Sequence, residues 1–188
     1  MTGLPWPWIV ARAAGLVAMA WLTLSVVMGL LMSTKLLGGA RQARLLQWHR
    51  SLSWMGLSAL ALHVVALLFD PWLDMGPVDA LVPLASEWRP WAVAAGVIAA
   101  WLSVALALSF RVRARMGVRN WRRLHMASFL AFVLSVIHGL TAGTDLQGGW
   151  AVVFLVATCA PVLALVATRV SGFQRARPAP VRRPARAG

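Results

Sequence analysis

Residues 48–64 read WHRSLSWMGLSALALHV, and residues 121–139 read WRRLHMASFLAFVLSVIHG. Each stretch is an apolar helical run that opens on tryptophan and arginine and carries a histidine near either end. The chain has four histidines, and all four lie here: His49 and His63 in the first stretch, His125 and His138 in the second. Polar groups are costly inside hydrocarbon and usually functional there. At about 1.5 Å rise per residue, spacings of fourteen and thirteen residues separate the members of each pair by roughly 20 Å along the helix axis.

The rest of the sequence makes both stretches transmembrane. Of 188 residues, 60% are hydrophobic and 12% charged, too little polar surface for a soluble domain of this size. Apolar runs long enough to cross about 30 Å of hydrocarbon as helices are drawn at 8–32, 46–69, 89–110, 120–142 and 150–170. The first lacks a basic leader and a small-residue cleavage site, so it reads as a span and not a signal peptide. Tryptophans gather at the span ends (Trp6, Trp8, Trp48, Trp72, Trp88, Trp91, Trp121 and Trp150), as an interfacial belt requires. Trp21, Trp54 and Trp101 fall mid-span and are assigned to packing.

The net charge of +13 points to a membrane face and not to nucleic acid. Lys35, Arg41, Arg44 and Arg50 lie between spans one and two or at the start of span two. Arg111, Arg113, Arg115, Arg119, Arg122 and Arg123 connect spans three and four, and Arg169, Arg175, Arg177, Arg182, Arg183 and Arg186 follow at the C-terminal end. All acids fall on the opposite side: Asp70, Asp74, Asp79, Glu87 and Asp145. The positive-inside rule then places the N-terminus outside and the C-terminus in the cytoplasm of a bacterial inner membrane. The loop 70–88, with apolar residues 78–84 among its prolines, is expected along the outer surface as a lid. Residues 172–188 form a basic, proline-rich tail expected to be disordered, and Cys159 has no partner for a disulfide.

With one span between them, spans two and four run in the same direction. His49 and His125 share the inner level, and His63 and His138 the outer one. A neutral imidazole nitrogen is a strong axial ligand for haem iron, and two such ligands close both axial positions, which favours electron transfer over bond-making. The expected fold is therefore an all-α polytopic membrane bundle of about five helices, in which two parallel helices sandwich two stacked b-type haems. Arg50, Arg122 and Arg123 stand close in sequence to the inner histidines and suit the propionates. Trp54, Phe129 and Phe132 lie between the two levels, where packing accounts for them.

At about 100° per residue, a spacing of thirteen turns His138 about 140° away from His125, against about 40° for the fourteen-residue pair. Span four must therefore be coiled, or locally widened near Ser135, or present its histidines to different sides. Two other readings compete. A quinol-linked diheme cytochrome b also pairs histidines on two helices. A transporter or interaction protein would use them for a metal or for packing, though the two histidine-bearing spans hold no carboxylate or cysteine to complete such a site.

Spans two to four resemble the ferric reductase-like transmembrane domain, shared by ferric reductases, NADPH oxidases and the haem-binding membrane subunit of the periplasmic methionine-sulfoxide reductase system. The residues that carry the resemblance are the two histidine pairs, the stretch GVRNWRRLH at 117–125, and Phe129, Phe132 and His138-Gly139, within a likeness covering roughly 10–170. It implies one haem on His49 and His125 and another on His63 and His138, within a transmembrane domain at 1–171. The family usually has six spans where five are counted here, and no glycine-rich nucleotide fingerprint follows a strand. The donor is accordingly expected to be a separate flavoreductase, a reduced flavin or quinol. The outer acceptor is expected to be ferric iron, a flavoprotein or a periplasmic reductase.

Overall fold

A computed structural model describes residues 5–34, 36–143 and 149–175. Seven α-helices and one 3₁₀ turn make up its regular structure, with no strand among the described residues. The helices are α1 (Trp6–Thr34), α2 (Gln42–Leu68), α3 (Pro77–Leu81), α4 (Pro90–Met116), α5 (Val118–His125), α6 (Ala127–Ala142) and α7 (Gly149–Arg175). Five segments are long and apolar enough to cross a membrane: α1, α2, α4, α5 with α6, and α7 up to Ser171. This is the all-helical membrane bundle that the sequence predicts.

The helices overrun the drawn spans at their ends. Helix α4 continues to Met116, so Arg111, Arg113 and Arg115 sit on its last turns, where cationic side chains complement the helix dipole. Helix α7 continues to Arg175, into the segment assigned to the tail. The rest of that tail, together with Lys35 and Asp145, lies outside the described residues.

Two antiparallel helix pairs form the body, α1 with α2 and α4 with α6, and α7 packs on α1. In lipid, helices associate through close packing of small residues and not through hydrophobic transfer. The sequence of α1 supplies such a face, burying Ala11, Ala14, Ala18, Thr23 and Ser25 at helical spacing. Helix α4 does the same with Ala92, Ala94, Ala95, Ala99 and Ser109. At the outer end the Arg89 guanidinium donates to the Thr141 carbonyl, tying the start of α4 to the end of α6. At the inner end Gly117 alone joins α4 to α5, at φ 77°, a conformation open to glycine and strained for other residues.

The fourth span is broken. Helix α5 stops at His125 and α6 starts at Ala127. Across the break, Met126 N–H donates to the Arg123 carbonyl (3.2 Å) and Phe129 N–H to the Met126 carbonyl (3.1 Å), both i to i−3 bonds of the 3₁₀ type. Of the three ways left open by the sequence, widening near Ser135 is not what occurs: α6 runs unbroken there, the irregularity lies at Met126, and it tightens the helix. Tightening is the useful sense. Thirteen residues complete four turns only at about 111° per residue, between the α-helical 100° and the 120° or so of a 3₁₀ turn.

The outer loop folds back on α4. Met75 is buried with Val93 and Val97, and Leu73 and Trp88 pack against them. Asp79 caps α3 by accepting from Gly76 N–H at 2.9 Å. Trp101, assigned to packing from the sequence, does more: its indole N–H donates to the Leu81 carbonyl at 2.9 Å and anchors α3 against α4.

Candidate cofactor site

The space between the two helix pairs is one cavity of 1360 Å³, larger than the roughly 300–1,000 Å³ of a pocket for a single small ligand. All four histidines line it, and they meet in pairs. The His49 and His125 ring centres lie 5.9 Å apart with planes at 75°. Those of His63 and His138 lie 6.3 Å apart at 78°. Two metal–imidazole bonds of about 2 Å, with about 1.2 Å from each ring centre to its nitrogen, span about 6 Å. Each pair thus stands at a separation that would admit one shared metal centre. Among the described residues no group of three or more His, Cys, Asp or Glu side chains gathers for a metal ion; the donor sets are imidazole pairs, suited to the axial positions of a macrocycle.

Hydrogen bonds fix the outer rings. His63 Nδ1 donates to the Ala11 carbonyl at 2.7 Å, and His138 Nδ1 to the Ala92 carbonyl at 2.9 Å. A carbonyl can only accept, so the proton sits on Nδ1 and the Nε2 lone pair is left for a metal. His49 Nδ1 meets the Ser25 carbonyl at 2.8 Å and the Ser25 hydroxyl at 2.9 Å. That hydroxyl lies 2.7 Å from Ser53 Oγ, and Ser53 in turn donates to the His49 carbonyl. His125 has no such partner: its Nδ1 is buried without a hydrogen bond, and the Trp121 indole stacks on its ring at 4.9 Å.

The helix beside each anchored ring carries a glycine. A Cβ on Gly15 would lie 3.0 Å from His63 Nδ1, one on Gly29 3.5 Å from His49 Cε1, and one on Gly96 2.6 Å from His138 Nδ1. Each glycine follows the accepting carbonyl by four residues: Ala11 and Gly15, Ser25 and Gly29, Ala92 and Gly96. These seats were not read from the sequence, yet a signal exists. Gly15 and Gly29 are fourteen residues apart, the spacing of His63 and His49 on the facing helix.

The other expected residues are present around the same space. Arg50, Arg122 and Arg123 line the cavity with Arg111, Arg113 and Arg169, and Trp54, Phe129 and Phe132 line it between the histidine levels. Arg12, to which the sequence reading gave no role, lines it near Ala11 with its guanidinium 3.8 Å from the centre of the Trp8 ring. The end of the cavity beneath the loop 70–88 is walled by Asp70, Leu73, Met75 and Trp88.

No curated protein and no solved structure matches the chain. Residues 14–136, which run from within α1 to within α6 and hold three of the four histidines, match the ferric reductase like transmembrane component family. With that match over the helices that build the cavity, the chain belongs to the ferric reductase-like transmembrane components, membrane proteins of transmembrane electron transfer.

Proposed function

We propose that the protein carries electrons across the bilayer through two b-type haems, one held by His49 and His125 and the other by His63 and His138. The two matched ring pairs, stacked along one cavity, carry this reading. The histidine pairs would hold a haem at each level, and the bound group would supply a one-electron couple there. The protein's own residues do the rest. Ala11, Ser25 and Ala92 hold three imidazoles in the Nδ1–H tautomer, which raises their basicity as ligands. The glycine seats let the Nδ1 edges of those rings approach α1 and α4 closely. Where both histidines of a pair are anchored, they would hold such a group rigidly and favour electron transfer over bond-making. Covalent attachment needs a Cys-x-x-Cys-His run, and the single cysteine, Cys159, leaves the haems non-covalent.

Arg50, Arg122 and Arg123 would meet the inner propionates by charge-assisted hydrogen bonds, and Arg12, which lines the other end of the cavity, would serve there. Electrons enter at the arginine-rich end from a flavoreductase, a reduced flavin or quinol. They leave beneath the outer loop to ferric iron, a flavoprotein or a periplasmic reductase. The cationic end faces the cytoplasm of a bacterial inner membrane by the positive-inside rule. A reduced-minus-oxidised spectrum with haem quantitation on purified protein tests the reading. Two low-spin b-type haems per chain are expected, and a chain that binds none refutes it.

A further inference from the structure

Three of the four histidines share one design, a carbonyl acceptor and a glycine four residues on. Advancing the α4 seat by the fourteen residues that separate Gly15 from Gly29 gives the register positions for the fourth. Ala92 maps to Leu106 and Gly96 to Phe110. Position 110 therefore holds an aromatic ring where the other three seats are glycine. The acceptor is taken as well, since the Leu106 carbonyl receives the Ser109 hydroxyl at 2.6 Å. Ser109 Oγ in turn accepts from the Trp121 indole at 3.1 Å.

The ring that displaces the seat is itself held in place. Phe110 meets Trp121 edge-on at 6.3 Å, and Trp121 stacks on His125 with planes at 21°. The Arg113 guanidinium lies 5.0 Å from the Trp121 ring and 5.8 Å from that of Phe110. His125 also ends α5 beside the tightened turn at Met126. Among the described residues His125 thus has neither an anchored proton nor a helix seat; the Trp121 indole stacks on it and the His49 ring meets it edge-on.

Resting on the haem reading above, we propose that His125 is an exchangeable axial ligand. The reduced inner centre then accepts a small neutral π-accepting molecule, of the carbon monoxide class, on the His125 side, while the outer centre stays closed. The exchange breaks one iron–nitrogen bond and forms one iron–ligand bond, with no electron or proton transferred. His49, anchored twice on Ser25, keeps the opposite side. An imidazole whose Nδ1–H is hydrogen-bonded is the stronger donor to iron, so the unanchored ring is the one that yields.

Carbon monoxide titration of the dithionite-reduced, purified holoprotein, followed at the Soret band, tests this. One carbon monoxide per two haems is expected; none, or two, overturns the proposal while leaving the haem count, and so the haem reading, intact. Phe110→Gly combined with Ser109→Ala opens the seat and frees the Leu106 carbonyl lone pair that the Ser109 hydroxyl occupies, which then accepts from His125 Nδ1–H. Carbon monoxide affinity should fall about tenfold, the worth of one added hydrogen bond; an unchanged affinity counts against it. His125→Leu locates the site. The stoichiometry should stay at one per two haems with tighter binding, and a rise to two places the exchangeable ligand on the outer pair and refutes the assignment. Should His125→Leu lose the inner haem, the haem that remains should bind no carbon monoxide, and binding there refutes it equally.

Discussion

The glycine seats permit a graded prediction. Gly96→Ala puts a methyl group 2.6 Å from His138 Nδ1 and 2.8 Å from its Cε1 and Cγ. Ordinary contact begins at 3.4 Å, so ring and helix must part by about 0.8 Å. The bond from Nδ1 to the Ala92 carbonyl stands at 2.9 Å and does not survive such a shift intact. Overpacking costs about 1–3 kcal/mol and the weakened hydrogen bond about 1. Against them, alanine returns about 1 kcal/mol of helix propensity. The net loss of about 1–3 kcal/mol weakens outer haem binding roughly 5- to 200-fold. Gly15→Ala, at 3.0 Å from His63, should show the same defect more mildly. Gly29→Ala, at 3.5 Å from His49, should keep its haem and gain slightly in stability. The assay is haem per polypeptide after detergent purification, with haem loss timed by transfer to excess apomyoglobin. A loss from Gly29→Ala equal to that from Gly96→Ala would show that the seats do not set the ring positions.

Three further outcomes follow from the same geometry. The imidazole planes cross at 75° and 78°, so the ferric protein should give the strongly anisotropic low-spin electron paramagnetic resonance signal of near-perpendicular axial rings; a signal of parallel planes is incompatible with these ring orientations. Ser25→Ala removes the hydroxyl at 2.9 Å but leaves the backbone carbonyl at 2.8 Å, so inner haem affinity should drop by less than about tenfold, the worth of one hydrogen bond. A total loss of the inner haem would mean that the hydroxyl, not the carbonyl, anchors His49. In intact cells a membrane-impermeant thiol reagent should label Asp74→Cys, and Arg115→Cys only after permeabilisation; the reverse pattern inverts the orientation.

Much of this architecture was legible in the residues, because hydropathy and charge act along the chain. Span lengths follow from the bilayer, and the fourteen-residue spacing of His49 and His63 already returns both to nearly one face of α2. The thirteen-residue spacing in span four showed that something must give, but not where. A widening near Ser135 and a tightening at Met126 both change the phase, and only backbone hydrogen bonds distinguish them. The anchors were hidden for a different reason. Ala11, Ser25 and Ala92 act through main-chain carbonyls, which carry no side-chain signature. Gly15, Gly29 and Gly96 act by lacking one, and glycine is common in membrane helices for many reasons. Trp121 reads as an interfacial tryptophan, and its second role, stacked on His125 and bonded to Ser109, depends on the elbow at Gly117 that turns α5 back toward α4.

The pairing of histidines by level is the centre of the account, and one variant addresses it. Replacing His63 and His138 together by alanine removes both ligands of one proposed haem and none of the other. Haem quantitation with a reduced-minus-oxidised spectrum should then give one haem per chain, low-spin, with the inner arginine-rich end intact. Two haems retained in that variant, or complete loss of haem from a protein that still folds, contradicts the pairing.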